Sequence, residues 1–176
     1  MDGVFSLLWQ AKALPKVLIP VWRILLDRLP TTHNLIKRGV VVNSPLCVLC
    51  NQSEEFSQHL FLDCVYARHV WFLCFTWIDI LMVQNKDLRN HFENFHLVHM
   101  SDKHNQVWRG MWVAIVRSIW EQRNKVVFKQ GVPDVKEIFQ LTELLSWQWL
   151  KHRVRSFSYA FSDWHLNPTQ CLLSVR

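Results

Sequence analysis

The chain has 176 residues, half of them apolar and 19% charged, with a net charge of +6; that is too apolar for a disordered segment and enough for one compact domain or two small lobes on a shared core. Four glycines and six prolines argue against an all-β fold with many tight turns, while ten tryptophans and eleven phenylalanines supply a core without disulfides. No run reaches the ~18–20 apolar residues of a membrane helix, and the opening MDGVFSLLWQ lacks the basic start of a secretion signal, so an intracellular protein is expected, nucleus or cytoplasm unresolved, with its five cysteines as ligands or free thiols.

Charge is unevenly spread. Residues 1–44 carry six Lys/Arg against two acids, 45–100 carry three against six, and 101–176 carry eleven against six. The basic flanks could meet phosphates or could simply be solvated helix faces, and the middle is acidic.

In chain order, residues 4–13 predict a short helix. Residues 15–29 place Val17, Leu18, Val21, Trp22, Leu25 and Leu29 at helical spacing. Pro20 sits inside that pattern, so the helix is either kinked there or begins there. Thr31 or Thr32 can cap a helix over 33–38, which Gly39 ends, and residues 40–42 read as a brief extended run. Residues 65–83 are apolar nearly all round and predict a buried helix. The polar stretch 84–105 predicts a connecting segment with at most one weak helical turn. Residues 106–129 predict a helix with Trp108, Met111, Trp112, Ile115 and Ile119 on one face, ended by Gly131. Asp134 can cap the next, which runs to about residue 155 with Val135, Ile138, Phe139, Thr142, Leu145 and Trp149 as its stripe. The tail from Ser156 carries no clear signal.

The informative stretch is Cys47-Val-Leu-Cys50, eight residues, His59, four residues, Cys64. Two cysteines separated by two residues can aim both sulfurs at one ion from a tight turn, and a histidine with a third cysteine completes a tetrahedron. Thiolate and imidazole donors suit Zn²⁺, and a closed four-ligand site is structural, with no position left for an activated water. Leu60, Phe61 and Leu62 can shield the ion. Cys74 reads as a core thiol and Cys171 as a free thiol in the tail. The expected fold class is therefore mainly α, a helical domain with a small CCHC zinc knuckle.

Several stretches around these cysteines carry a resemblance. They are PKVLIPVWRILLDRLPTTHNLIKRGV, CVLCNQSEEFSQHLFLDC, YARHVW and, downstream, IWEQRNKVVF. In that order they resemble the zinc-binding domain that follows the reverse transcriptase in plant non-LTR (LINE-type) retrotransposons, closely over residues 5–75 and more loosely over 105–150. The resemblance implies Cys47, Cys50, His59 and Cys64 as the zinc ligands. It also implies RNA or DNA and a retroelement reverse transcriptase as partners, with no membrane and no small-molecule substrate. Pro20 and Val65 depart from the family pattern without touching a ligand. No tyrosine-x-Asp-Asp motif occurs, so the chain resembles a free-standing or domesticated piece of a retroelement protein. The implied organisation is a reverse-transcriptase-type zinc-binding domain over 1–83, a connecting segment over 84–105, a helical hairpin over 106–155 and a tail over 156–176.

Other candidates are weaker. His91, His96, His99 and His104 cluster in the connecting segment and could ligate a second metal or simply populate a polar loop. Arg123 and Asn124 could touch a phosphate, but an arginine there more often pairs with an acid such as Glu121 or Glu143, or caps a carbonyl. Lys151, Arg153 and Arg155, beside Trp147, Trp149 and Phe157, mix basic and aromatic residues as single-stranded nucleic-acid binders do, though helical spacing assigns Trp149 to the core. No serine, cysteine or histidine triad and no glycine-rich phosphate loop is present, so no enzymatic activity is expected. The expected function is a zinc-stabilised module that assists nucleic-acid binding, or alternatively a structural or protein-interaction remnant.

Overall fold

The computed structural model describes residues 3–80 and 87–175. The first helices are α1 (Gly3–Gln10), α2 (Pro15–Leu25) and α3 (Thr32–Lys37). Pro15 occupies the first turn of α2, where its missing N–H costs nothing, and the helix runs on through Pro20 instead of starting there. Thr31 caps α3 by accepting from the Asn34 N–H. Residues 40–42 form no strand; among the described residues β pairing is limited to one isolated bridge, Leu46 with Glu54.

A single π-helical turn, His59–Asp63, leads into α4 (Val65–Trp77). The helix predicted over 65–83 thus closes early, with Ile78 as its cap and Asp79 left-handed at φ 53°; positions 81–83 lie outside the described residues. It is also less uniformly buried than its composition suggested, since Val65 and Phe72 face solvent. The expected connecting segment contains a six-residue helix, α5 (Leu88–Glu93), capped by Asp87 through the Asn90 N–H.

Helix α6 (Asp102–Lys129) is the axis of the fold. At 28 residues it is about 42 Å long, and it starts four residues earlier than its apolar periodicity indicated because Ser101 supplies the cap. From Val107 to Trp120 nearly every side chain is buried, so α6 is enclosed on most sides instead of showing one stripe. Trp108 stacks on Phe95 at 4.8 Å and Trp112 meets Phe92 edge-on at 4.9 Å, binding α5 and the following loop to α6. Gln130, not Gly131, takes the left-handed conformation that ends the helix. Gly131 is needed for closeness: a Cβ there would stand 2.9 Å from the Lys125 side chain.

Helix α7 (Val135–Arg153) packs antiparallel on α6 and also against α4. Asp134 caps it through the Lys136 and Glu137 N–H groups. The tail folds into α8 (Phe161–Leu166) and α9 (Pro168–Leu173). Trp164 is fully buried, the Trp77 indole donates to the His165 carbonyl, and Thr169 Oγ1 donates to the Ile78 carbonyl, so the tail closes the end of α4. No described helix is long and apolar enough to cross a membrane.

Candidate metal centre

Residues 45–55 form a tight knuckle. The Cys47 N–H donates to the Ser53 carbonyl at 2.7 Å, the Glu55 N–H to the Pro45 carbonyl at 2.9 Å, and the Asn51 N–H to the Cys47 carbonyl at 2.8 Å. Asn51 takes a left-handed φ of 54°, a conformation asparagine tolerates, which reverses the chain directly after Cys50. Both sulfurs are thereby turned to one side.

The other two candidate ligands come from the π turn. In an α-helix, residues five apart point about 140° away from each other, at ~100° per residue. Here the Cys64 N–H donates to the His59 carbonyl at 2.7 Å, the i to i+5 bond of a π turn, which brings both positions to the same face. The turn is held from behind by the buried Trp71 indole, which donates to the Phe61 carbonyl at 2.8 Å. Leu60, Phe61 and Leu62 are buried around it, as their place in the sequence suggested.

Cys47, Cys50, His59 and Cys64 therefore converge, all four donor atoms lying within 4.8 Å of one another. The Cys50 Sγ to His59 Nε2 separation is 3.2 Å and the Cys47 Sγ to Cys64 Sγ separation 4.0 Å. A tetrahedron built on ~2.3 Å Zn–S and ~2.0–2.1 Å Zn–N bonds has edges of roughly 3.4–3.8 Å, so the constellation fits zinc with small side-chain shifts. The donor chemistry fits as well. Cys64 is drawn below the usual thiol range because Cys47 donates to it, while that same bond and burial push Cys47 up. Burial lowers His59, keeping its imidazole neutral as a ligand must be. Among the described residues these four are the one group with metal-ligand geometry.

The site is anchored to the long helix by a pair that sequence reasoning did not identify. Arg123 pairs with neither Glu121 nor Glu143. Its guanidinium grips Glu55, 2.8 Å from Nη2 to Oε1, with both side chains buried. Glu55 Oε1 also accepts the Thr32 N–H at the start of α3. Arg117 pairs with Glu121 instead, and Glu143 meets His165. Glu55 stands 68 residues from Arg123, and no local pattern links them.

The remaining candidates are dispersed. His91 is buried and accepts the Trp112 indole N–H on Nδ1 at 2.8 Å, while His104 Nδ1 is 2.7 Å from Ser101 Oγ; neither they nor His96 and His99 form a ligand group. Lys151, Arg153 and Arg155 are exposed at the end of α7. Lys151 lies over the Trp147 ring and donates to the Ser158 carbonyl, whereas Trp149 and Phe157 are core residues. Cys74 and Cys171 are buried free thiols.

Residues 2–71 match the family model described as zinc-binding in reverse transcriptase. No curated protein and no solved structure matches the chain.

Proposed function

We propose that this chain, whose residues 2–71 match the family model described as zinc-binding in reverse transcriptase, is a zinc-stabilised, non-catalytic module of retroelement origin that assists nucleic-acid binding. The observation that carries the zinc reading is the convergence of three cysteines and a histidine, from a knuckle and the π turn that follows it, on one shielded point. With Cys47, Cys50, His59 and Cys64 all engaged, a CCHC site of the plant LINE type keeps no open coordination position. Its three thiolates leave the bound ion with a net negative charge, so it is a poor Lewis acid. The ion's role is to hold the knuckle, the π turn and α3 in register, and such sites supply ~10–16 kcal/mol of apparent binding free energy to folding.

Nucleic acid would be met away from the knuckle, through Lys151, Arg153 and Arg155. Arg153 and Arg155 have no partner among the described residues and are open to phosphates. Trp147 is covered by Lys151 and packed against Phe161, so contact there would be electrostatic more than by stacking.

A second reading, protein docking, is favoured by an apolar groove of about 750 Å³ between α2, residues 42–44 and the last turns of α6. Ile19 and Phe128 are 52% and 75% exposed at its edge, and among the described residues no acid lines it and Arg23 makes no ion pair. The occupant that matches is an amphipathic helix bearing a carboxylate, as the polymerase portion of a retroelement protein could offer.

Metal analysis of the purified chain beside Cys47→Ser tests the centre. One zinc per chain, lost in the variant together with helical circular dichroism, is the expected result; a folded, zinc-free wild type refutes it. Binding to single-stranded RNA and DNA is then measured across a salt series. The nucleic-acid reading requires an affinity that falls with salt, with a shallower slope when Lys151, Arg153 and Arg155 are replaced by alanine. No binding at low salt leaves the docking reading.

A further inference from the structure

On the far side of α4 from the knuckle, a cleft of about 710 Å³ opens between α4, the N-terminal half of α7 and α8. Leu73, Val135 and Phe139 give it apolar walls, with His69 at the rim and Glu143 and His165 facing in. Glu143 is 2% exposed, a rare setting for a carboxylate without a strong cationic partner. Its Oε1 accepts from His165 Nδ1 at 2.7 Å. Its Oε2 has no hydrogen-bond partner among the described residues and is not among the buried polar atoms cut off from the surface, and Glu143 itself lines the cleft.

The carboxylate is held in place. The Trp164 indole donates to the Glu143 carbonyl at 3.1 Å, the Trp77 indole fixes the His165 carbonyl at 2.8 Å, and the His165 ring stacks on Phe161. A tether between α7 and α8 would need one acceptor oxygen, which a neutral glutamine provides without the cost of a buried charge. Burial raises the Glu143 carboxyl above the usual carboxylate range, and His165 pulls it partly back. Lys136 does not satisfy it, being two turns away on the same helix and making no ion pair with it. Asp134 is occupied in capping α7.

We propose that this cleft binds a ligand carrying a cationic nitrogen, an ammonium or a guanidinium-type group on an apolar stem. Glu143 Oε2 accepts the cation's hydrogen bond, His165 orients the carboxylate, and the stem lies along Leu73, Val135 and Phe139. The source is either a free amine or the lysine or arginine side chain of another protein.

The test uses the zinc-loaded full chain and the indole N–H signals of Trp164 and Trp77, which bond to the backbone of Glu143 and His165. Benzamidine, neutral benzamide and the capped peptide acetyl-Gly-Arg-Gly-amide are titrated separately. The expected result is a saturable shift of both indole signals with benzamidine, none with benzamide over the same range, and at least tenfold weaker binding in Glu143→Gln. Phe139→Ala, which keeps the charge and removes the wall, weakens benzamidine as well. Tighter binding of the peptide identifies a protein side chain as the source, and saturation by benzamidine alone identifies a free amine. Equal response to benzamide, unchanged affinity in a folded Glu143→Gln, or no saturable shift with either cationic probe overturns the proposal. Should Glu143→Gln fail to fold, the benzamidine and benzamide comparison on the wild type decides.

Discussion

His91 shows how one side chain couples the core to pH. Its Nδ1 accepts from the Trp112 indole, which can only donate, so the proton sits on Nε2, and Nε2 is buried without a partner. Burial lowers its pKa to about 4. In the unfolded chain it binds a proton below about 6.5; folding must strip that proton off, so stability is lost as pH falls from about 6.5 to about 4. The loss approaches 3 kcal/mol at the acid end, at ~1.36 kcal/mol per pKa unit. Urea unfolding at pH 7, 5.5 and 4.5 checks this as the difference between wild type and His91→Gln, because acid release of zinc acts on both chains. Parallel acid slopes in the two would show that His91 is not the source.

At the scale of elements, one joint is a buried ion pair. Arg123 ties α6 to the knuckle and to α3 through Glu55, and both side chains are buried. Arg123→Met strands the Glu55 carboxylate and is expected to cost about 3–5 kcal/mol. Replacing both, as Glu55→Gln with Arg123→Met, should cost clearly less than the two single changes added, as measured by denaturant midpoints. Where the α1–α2 loop meets α6, the joint is steric. The Lys12 N–H donates to the Gln106 carbonyl, and a Cβ on Gly110 would lie 3.0 Å from the Lys12 carbonyl oxygen. That backbone is held and cannot easily give, so Gly110→Ala should destabilise by roughly 1–3 kcal/mol despite alanine's better helix propensity. A rise in melting temperature would show that the α1–α2 loop yields.

For the whole molecule, the family match and the folding unit differ in extent. The matched segment ends at residue 71, inside α4. The core beneath the knuckle continues into α6, where Trp120 lies near Phe61, Trp112 near Trp71, and Arg123 on Glu55. Residues 1–80 expressed alone, even with zinc, should therefore lack the helical content and cooperative unfolding of the full chain; circular dichroism and thermal melts compare the two. A cooperative zinc-dependent transition in the fragment would make the zinc lobe a domain in its own right.

The sequence by itself determined what depends on near neighbours. The four candidate ligands lie within 18 positions at a spacing that suits a metal, and the helices follow from caps such as Thr31 and Asp134 and from apolar periodicity. Tertiary structure alone decided the rest. The π turn is invisible to an α-helical period, yet it brings His59 and Cys64 to one face. Glu55 finds Arg123 across most of the chain, because a buried charge seeks whatever partner the packing delivers. The weakly patterned segments 84–105 and 156–176 yielded α5, α8 and α9, short helices stabilised by the aromatic surfaces they cover and not by their own propensity. Glu143 lies between apolar positions of α7, and nothing in its local sequence says that it would line a cleft. That placement exists only once α4, α7 and α8 have closed around it.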